Sequence, residues 1–229
     1  MNVSIILPIF NEDAVIEETI HAQMKAAAEL FDSFEILAVN DGSTDETGKK
    51  LQKLALEYPE LRILDHTYNK GYGAALRTGL NNSKNDWIFF TDADRQFDLN
   101  DLDRFIGLND HFDFIVGFRQ KRADSLKRVI ISDIYNKLNR ILFGLALRDV
   151  DCAFKLMRKS AVKSINFRSD SFFVSVELMT LASKKGFRIT ELGVNHYPRA
   201  NGESKVTLSK IMFTLFDLGR LYLRTEKKV

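Results

Sequence analysis

The sequence predicts a single α/β domain with a mainly parallel central sheet flanked by helices. Four short apolar runs alternate with helical stretches over the first hundred residues, the order of βαβ units. Those runs carry Ile, Val, Leu and Phe on both faces, as strands covered by helices on each side require. The 229 residues are 45% hydrophobic and 28% charged, with 12 Gly and 3 Pro and no Gly/Ser linker or internal repeat. That composition excludes a disordered chain and supports one sizeable core.

Val3–Ile9 is a β-branched strand ending towards Asn11, and a helix follows over Ala14–Phe31. Phe34–Val39 is the second strand, Asn40-Asp41-Gly42-Ser43 its polar turn, and Leu51 and Leu54 mark the second helix. Leu61–Leu64 and Ala74–Leu80 repeat the pair. Trp87–Phe90 is the fourth strand and runs into Thr91-Asp92-Ala93-Asp94. Further on, Phe112–Gly117 reads as a strand and Leu126–Phe143 as a helix. Phe173–Lys185 is a helix closed by Gly186, and Arg188–Val194 a strand.

Several function classes are excluded. A net charge of +2 and a pI of about 8.5 are too mild for a general nucleic-acid binder. The single cysteine, Cys152, rules out a disulfide framework and a multi-cysteine zinc site, and suits a reducing compartment. His21, His66, His111 and His196 lack metal-ligand spacing. The first ten residues have no basic segment before their apolar run, so they read as a strand and not a signal peptide. No uncharged apolar stretch reaches the roughly 18 residues of a membrane span.

Polar residues gather at strand ends: Asn11 and Glu12, then Asp41, then Asp92 and Asp94. Ligands of open α/β sheets bind outside those ends. Residues two apart on an extended segment face one side. If the chain stays extended past the fourth strand, Asp92, Asp94 and Gln96 offer three oxygens to one hard cation. Mg²⁺ or Mn²⁺ suits such a set, with substrate phosphates completing the shell. Ala93 leaves room for a diphosphate at the backbone. Asn69-Lys70-Gly71-Tyr72-Gly73 precedes the third helix, whose N-terminal N–H groups can meet an anion at Lys70 and Gly71. The spacing fits neither a dinucleotide fingerprint nor a P-loop. Arg119, Lys127-Arg128 and the loop Tyr197–Lys205 place cations at element ends, suited to phosphates.

In order, Ile5–Glu12, Val39–Asp45, Asn69–Leu80, Asp92–Gln96, Val116–Arg119, Asp149–Arg158 and Arg199–Lys205 resemble the family 2 glycosyltransferases of the GT-A fold. The likeness is nearest to dolichol- or polyprenol-phosphate sugar synthases. The resemblance implies that Pro8, Phe10 and Glu12 line a nucleotide pocket, with Val39 beside the base and Asp41 accepting a base N–H. It implies that Asp92, Asp94 and Gln96 hold the metal, and that Arg119, Arg199 and Lys205 engage the donor diphosphate and the acceptor phosphate. Arg128 and Ser204 join them at the acceptor phosphate. Residues 1–98 would then form a nucleotide-binding half, 99–205 an acceptor-binding half, and 206–229 an amphipathic helix and tail. Asn40, Phe10 and Arg95 depart from the residues frequent in such synthases, which leaves base and sugar open.

The expected reaction is metal-dependent inverting transfer of a hexose from a GDP- or UDP-sugar to a polyprenyl phosphate. Leaving-group charge falls to a divalent cation with nearby Arg and Lys. A phosphate monoester is largely ionised at neutral pH, so this nucleophile needs no strong base. Transfer to a glycan or lipid hydroxyl is the alternative, with Asp151 as base and Glu177 second. A non-catalytic nucleotide-binding scaffold is the reading from another class. The apolar side of Val206–Arg224 can lie in a membrane interface or cover the domain's own sheet. With Lys227 and Lys228 behind it, it suggests a cytoplasmic enzyme held peripherally at the inner face, alone or through a membrane partner protein.

Overall fold

The structure is a computed structural model that describes residues 1–120, 126–198 and 208–226, without the side chains of 126–128, 208–215 and 226. Its strands are β1 (Asn2–Ile9), β2 (Ser33–Asn40), β3 (Leu61–Asp65), β4 (Trp87–Thr91), β5 (Phe114–Arg119), β6 (Phe154–Arg158) and β7 (Ile189–Val194). They form one sheet in the order β3-β2-β1-β4-β6-β5-β7. The pairs β1–β2, β1–β4, β2–β3 and β5–β7 are parallel, and β6 alone runs against both its neighbours. The mainly parallel sheet is therefore as expected.

The helices are α1 (Ile16–Leu30), α2 (Thr47–Glu57), α3 (Tyr72–Asn82), α4 (Asp103–Ile106), α5 (Leu126–Phe143), α6 (Lys159–Lys163), α7 (Val174–Lys184) and α8 (Leu208–Glu226). Strand alternation divides the core between the two sheet faces. Ile5 and Leu7 pack with Ile16, Ile20, Leu51 and Leu54 of α1 and α2, and Phe89 joins that side. Ile6, Leu37 and Phe90 pack with Leu76 of α3, Phe143 of α5, Leu178 of α7 and Leu218 and Leu221 of α8. In α8 the apolar side thus covers the domain at Leu218 and Leu221.

Strand β6 was not among the expected elements. It lies between β4 and β5, with Thr91 opposite Phe154 and Val116 opposite Lys155. Lys155 interrupts the apolar pattern, yet it is fully buried. Its ammonium donates to the Cys152 carbonyl and lies 5.3 Å from the centroid of the Phe90 ring. Burial lowers its pKa, and the neighbouring Cys152, Asp151, Asp149 and Asp92 oppose that.

At the sheet end remote from those strand termini, Glu35 of β2 ties four segments together. Its carboxylate accepts from Ser4 Oγ of β1 at 2.7 Å, Arg62 of β3 at 2.5 Å and the Lys84 N–H before β4 at 2.6 Å. Burial pushes its pKa up, but those hydrogen bonds outweigh it and hold the carboxyl below its ordinary 4.5. A depressed native pKa gives stability that is complete above the unfolded value and is lost as pH falls through the native one. Glu35→Gln sets an amide NH₂ among three donors, so it is expected to cost about 2–3 kcal/mol at pH 7. The gap from the parent should narrow below about pH 4.5, and urea titrations at pH 7 and pH 3.5 check it.

Candidate active site

The loops after β1 and β2 are laced together. Asn11 takes a left-handed φ of 53°, which Asn tolerates better than most residues. Its N–H donates to Ser43 Oγ, and its side-chain oxygen accepts from the Thr44 N–H. The Glu12 N–H donates to Thr47 Oγ1, and Asp13 N–H to Asp45. Pro8, Phe10 and Glu12 are half-buried at this end of β1. Val39 differs from expectation: it is fully buried with Ile6, Leu37 and Ala75. Strand alternation turns its side chain into the core, so any contact with a base would come from its backbone.

Asp41 also faces inward, with a side chain only 4% exposed. Oδ1 bonds to His66 Nδ1 at 2.6 Å and accepts the Lys70 N–H at 2.9 Å; Oδ2 accepts the Gly71 N–H at 2.9 Å. His66 is in turn held through Nε2 by Thr78 Oγ1 at 2.9 Å. The carboxylate thereby stands where an incoming anion was expected, and the Lys70 and Gly71 N–H groups are spent on it. The Gly73 N–H goes to the Asp170 carbonyl. The start of α3 is capped from within the chain, which corrects the anion-site reading of this turn. Gly71, at φ 97°, and Gly73 are needed for close approach. A Cβ on either would fall within 2.4 Å of the Asp170 or Ser169 carbonyl oxygen.

Beyond β4 the chain does not stay extended, because Arg95 takes a φ of 61°. Asp92 and Asp94 are still brought within electrostatic reach of each other, whereas Gln96 sends its Nε2 to the Tyr197 carbonyl at 3.1 Å. The Gln96 N–H donates to Asp94 Oδ1 at 3.2 Å. Ala93 packs its methyl into the core, 3% exposed, while its carbonyl accepts from Thr19 Oγ1 of α1. Its small size serves packing rather than the approach of a diphosphate. Burial first, then the Asp94 charge, raises Asp92 well above the usual carboxylate range; the Tyr72 hydrogen bond, Arg119 and Lys155 oppose this. Two crowded carboxylates with oxygen donors alone form a set that a hard divalent cation would relieve. Among the described residues no cluster of three or more His, Cys, Asp or Glu could hold an ion. Mg²⁺ and Mn²⁺ need only one or two protein carboxylates when substrate phosphates complete the shell.

Tyr72, which sequence reasoning passed over, donates its hydroxyl to Asp92 Oδ1 at 2.7 Å. Burial and the Asp92 carboxylate hold its phenol well above the ordinary range, so it stays a donor. Arg119 closes β5 and makes a two-pronged pair with Asp149, Nε to Oδ2 at 2.6 Å and an Nη to Oδ1 at 2.8 Å. Asp149 was the second residue missed; its only sequence signal was its place at the head of the Asp149–Arg158 run. Asp151, two residues on, is exposed and interacts electrostatically with Tyr72, Tyr135 and Lys155.

Glu177 is not brought to this group. It is 3% exposed; Oε2 accepts the N–H groups of Arg168 and Ser169, and Oε1 pairs with Arg224 of α8. A carboxylate so engaged holds a loop and has no access to a substrate proton, which removes it as a candidate base. Lys70 itself is exposed, with its ammonium 5.6 Å from the Tyr68 ring centroid. The expected roles of Arg199, Ser204 and Lys205, and of the Arg128 side chain, lie outside the described residues.

A mainly parallel sheet with one reversed strand, and paired carboxylates beyond β4 where open α/β sheets bind ligands, form the arrangement of the GT-A glycosyltransferase class. Residues 4–165 match the family described as "Glycosyl transferase family 2". The chain belongs to that family. It is 30% identical over 220 residues to the undecaprenyl-phosphate 4-deoxy-4-formamido-L-arabinose transferases of Edwardsiella ictaluri (strain 93-146) and Salmonella choleraesuis (strain SC-B67). The match covers 94% of this chain and 66% of each relative, so the chain spans slightly less than two thirds of their length. Among solved structures, glucosyl-3-phosphoglycerate synthase from Mycobacterium tuberculosis in complex with Mn²⁺, UDP and glucosyl-3-phosphoglycerate superposes with a TM-score of 0.70. It shares 18% identity, over 97% of this chain and 79% of that one. S. aureus TarS 1-349 gives a TM-score of 0.57 at 20% identity, over 84% of this chain and 58% of that one. These likenesses show the GT-A fold.

Proposed function

We propose that this chain transfers a sugar from a nucleoside diphosphate sugar to a polyprenyl phosphate, with inversion at the anomeric carbon. The observation that carries it is the Asp92–Asp94 pair beyond β4, with Arg119 and Lys155 close enough to favour the ionised form of Asp92. The undecaprenyl-phosphate transferases named above support the acceptor class. The acceptor phosphate oxygen forms a bond to the anomeric carbon while the bond to the diphosphate oxygen breaks, and the nucleoside diphosphate leaves. Asp92 and Asp94 would hold Mg²⁺ or Mn²⁺, which when bound offsets charge on the departing diphosphate. Arg119, fixed by Asp149, supplies a rigid cation nearby. The half-buried Pro8, Phe10 and Glu12 lie at the side of the sheet assigned to the nucleotide. Because the acceptor is already ionised, Asp151 is left to orient rather than to deprotonate.

A peripheral membrane position goes with this acceptor. Among the described residues no helix is long and apolar enough to cross a membrane. On α5, Ile130, Ile134 and Ile141 recur on one outer face, 57–79% exposed, with Lys137 in the same row. On α8, Phe216 and Leu223 are 63% and 60% exposed. The Phe143–Tyr222 ring contact, 6.5 Å between centroids, joins the two helices. Such apolar rows beside basic residues suit the headgroup boundary of an anionic leaflet.

One experiment addresses donor, acceptor and location together. Undecaprenyl phosphate is placed in anionic liposomes, UDP- and GDP-sugars are screened with Mn²⁺, and the vesicles are floated to recover bound protein. Transfer to the lipid is expected, with Asp151→Asn slower by less than about tenfold. A loss above roughly 10³-fold in that variant would assign a base and favour a hydroxyl acceptor. Nucleotide binding without turnover of any donor would favour the scaffold reading.

A further inference from the structure

We propose that Tyr72 is a positioning residue for the metal-binding carboxylate of Asp92, and that α8 keeps Tyr72 in place through the Arg224–Glu177 ion pair. This rests on the reading of Asp92 and Asp94 as the metal pair. A hydroxyl on Oδ1 at 2.7 Å restrains the orientation of the Asp92 carboxylate. Groups that orient a ligating carboxylate in this way act on metal affinity from one bond further out.

The ring that carries the hydroxyl is held on two sides. Phe172 stacks on it at 5.0 Å between centroids and 27° between planes, and Phe90 meets it edge-on at 6.1 Å. Phe90 belongs to β4 and is buried in the core. Phe172 is 54% exposed and belongs to the loop between α6 and α7, so its position depends on what fastens that loop. The fastening is Glu177, which takes the Arg168 and Ser169 N–H groups with Oε2 and Arg224 with Oε1. Asp217 of α8 adds a contact from Ser171 Oγ at 3.4 Å. On the other side the loop backbone lies against the turn that begins α3, where the Asp170 carbonyl accepts the Gly73 N–H at 2.9 Å. A continuous set of contacts therefore runs from α8 to Asp92.

The test is Mn²⁺ binding by the full chain, with the metal alone as probe, read from loss of the free-ion EPR signal. Tyr72→Phe keeps both ring contacts and removes only the hydroxyl, so its melting temperature should stay near that of the parent. Its Mn²⁺ affinity is expected to fall about tenfold or more. Arg224→Gln should weaken Mn²⁺ binding by a smaller factor, and Arg224→Lys should restore most of it. In turnover, the Mn²⁺ concentration for half-maximal rate should rise in Tyr72→Phe more than the maximal rate falls. Tyr72→Phe with parental Mn²⁺ affinity overturns the proposal. Arg224→Gln with parental affinity and a lowered melting temperature overturns the part given to α8, because it shows a purely structural ion pair. Failure of the unaltered chain to bind Mn²⁺, both with the metal alone and with a nucleoside diphosphate present, overturns the metal reading itself and is distinguishable from both.

Discussion

Asp94→Ala is expected to abolish metal-dependent sugar transfer while leaving the chain folded. Asp94 is half-buried beyond the end of β4, and its carboxylate accepts the Gln96 N–H. Losing that bond costs on the order of 1 kcal/mol, a shift of a few degrees in melting temperature for a domain of this size. The functional loss is much larger. A charge-stabilising contact strengthened in the transition state is worth about 3–4 kcal/mol, or about 10²–10³ in rate. With the cation also lost, the deficit should exceed 10³-fold by this reckoning. EDTA should reproduce it in the parent, and added Mn²⁺ should rescue the parent but not the variant. If EDTA and Asp94→Ala both leave the rate unchanged, the assignment of this pair is wrong.

The second large effect is expected at Asp149, and it combines stability with turnover. Its carboxylate is 4% exposed and takes both prongs of Arg119, and the Arg119 N–H reaches the same Oδ2 at 3.3 Å. Its own carbonyl accepts the Cys152 N–H, closing the turn that leads into β6. Asp149→Ala removes the partner of a guanidinium that is only 13% exposed. Removing one member of a buried ion pair costs about 3–5 kcal/mol, against a total of roughly 5–15 for a domain. Urea unfolding should show that loss, and the fraction that stays folded should turn over more slowly because Arg119 is no longer fixed. Asp149→Asn keeps the shape and one acceptor oxygen, and should fall between parent and alanine variant in both measurements. Unfolding of Asp149→Ala within 1 kcal/mol of the parent would sink the buried-pair account.

Much of the scaffold was legible from residue pattern, because parallel strands buried on both faces announce themselves as Val3–Ile9, Phe34–Val39 and Trp87–Phe90 do. Strand β6 was not, since a charged residue at its second position breaks the apolar run. Only the three-dimensional setting shows Lys155 satisfied by the Cys152 carbonyl and the Phe90 ring. In the site, the pairing of Asp92 with Asp94 could be read from their spacing beyond a strand. The state of each polar group could not. Asp41 and the N–H groups of Lys70 and Gly71 each have the chemistry to meet a ligand, and the fold pairs them with each other. Glu177 has the chemistry of a base and is engaged by a loop and by α8. Tyr72 and Asp149 were passed over for the converse reason. Their importance comes from partners 20 and 30 residues away, a separation that local pattern does not register.

The reversed strand has a consequence for synthesis on the ribosome. Strand β4 can pair with β1 as soon as it emerges, but its other edge is completed only by Phe154–Arg158. Until then Trp87–Thr91 is the outer strand of a partial sheet, with Phe89 and Phe90 exposed to neighbours in a crowded translation environment. The backbone support for the glycine turn, Ser169 and Asp170, arrives later still. The first hundred residues therefore lack both the second partner of β4 and the backbone that packs on the glycine turn. In vectorial synthesis the β4 edge beside the Asp92–Asp94 pair stays open until Phe154–Arg158 is made, the kind of unpaired edge that exposes a partly folded chain to aggregation.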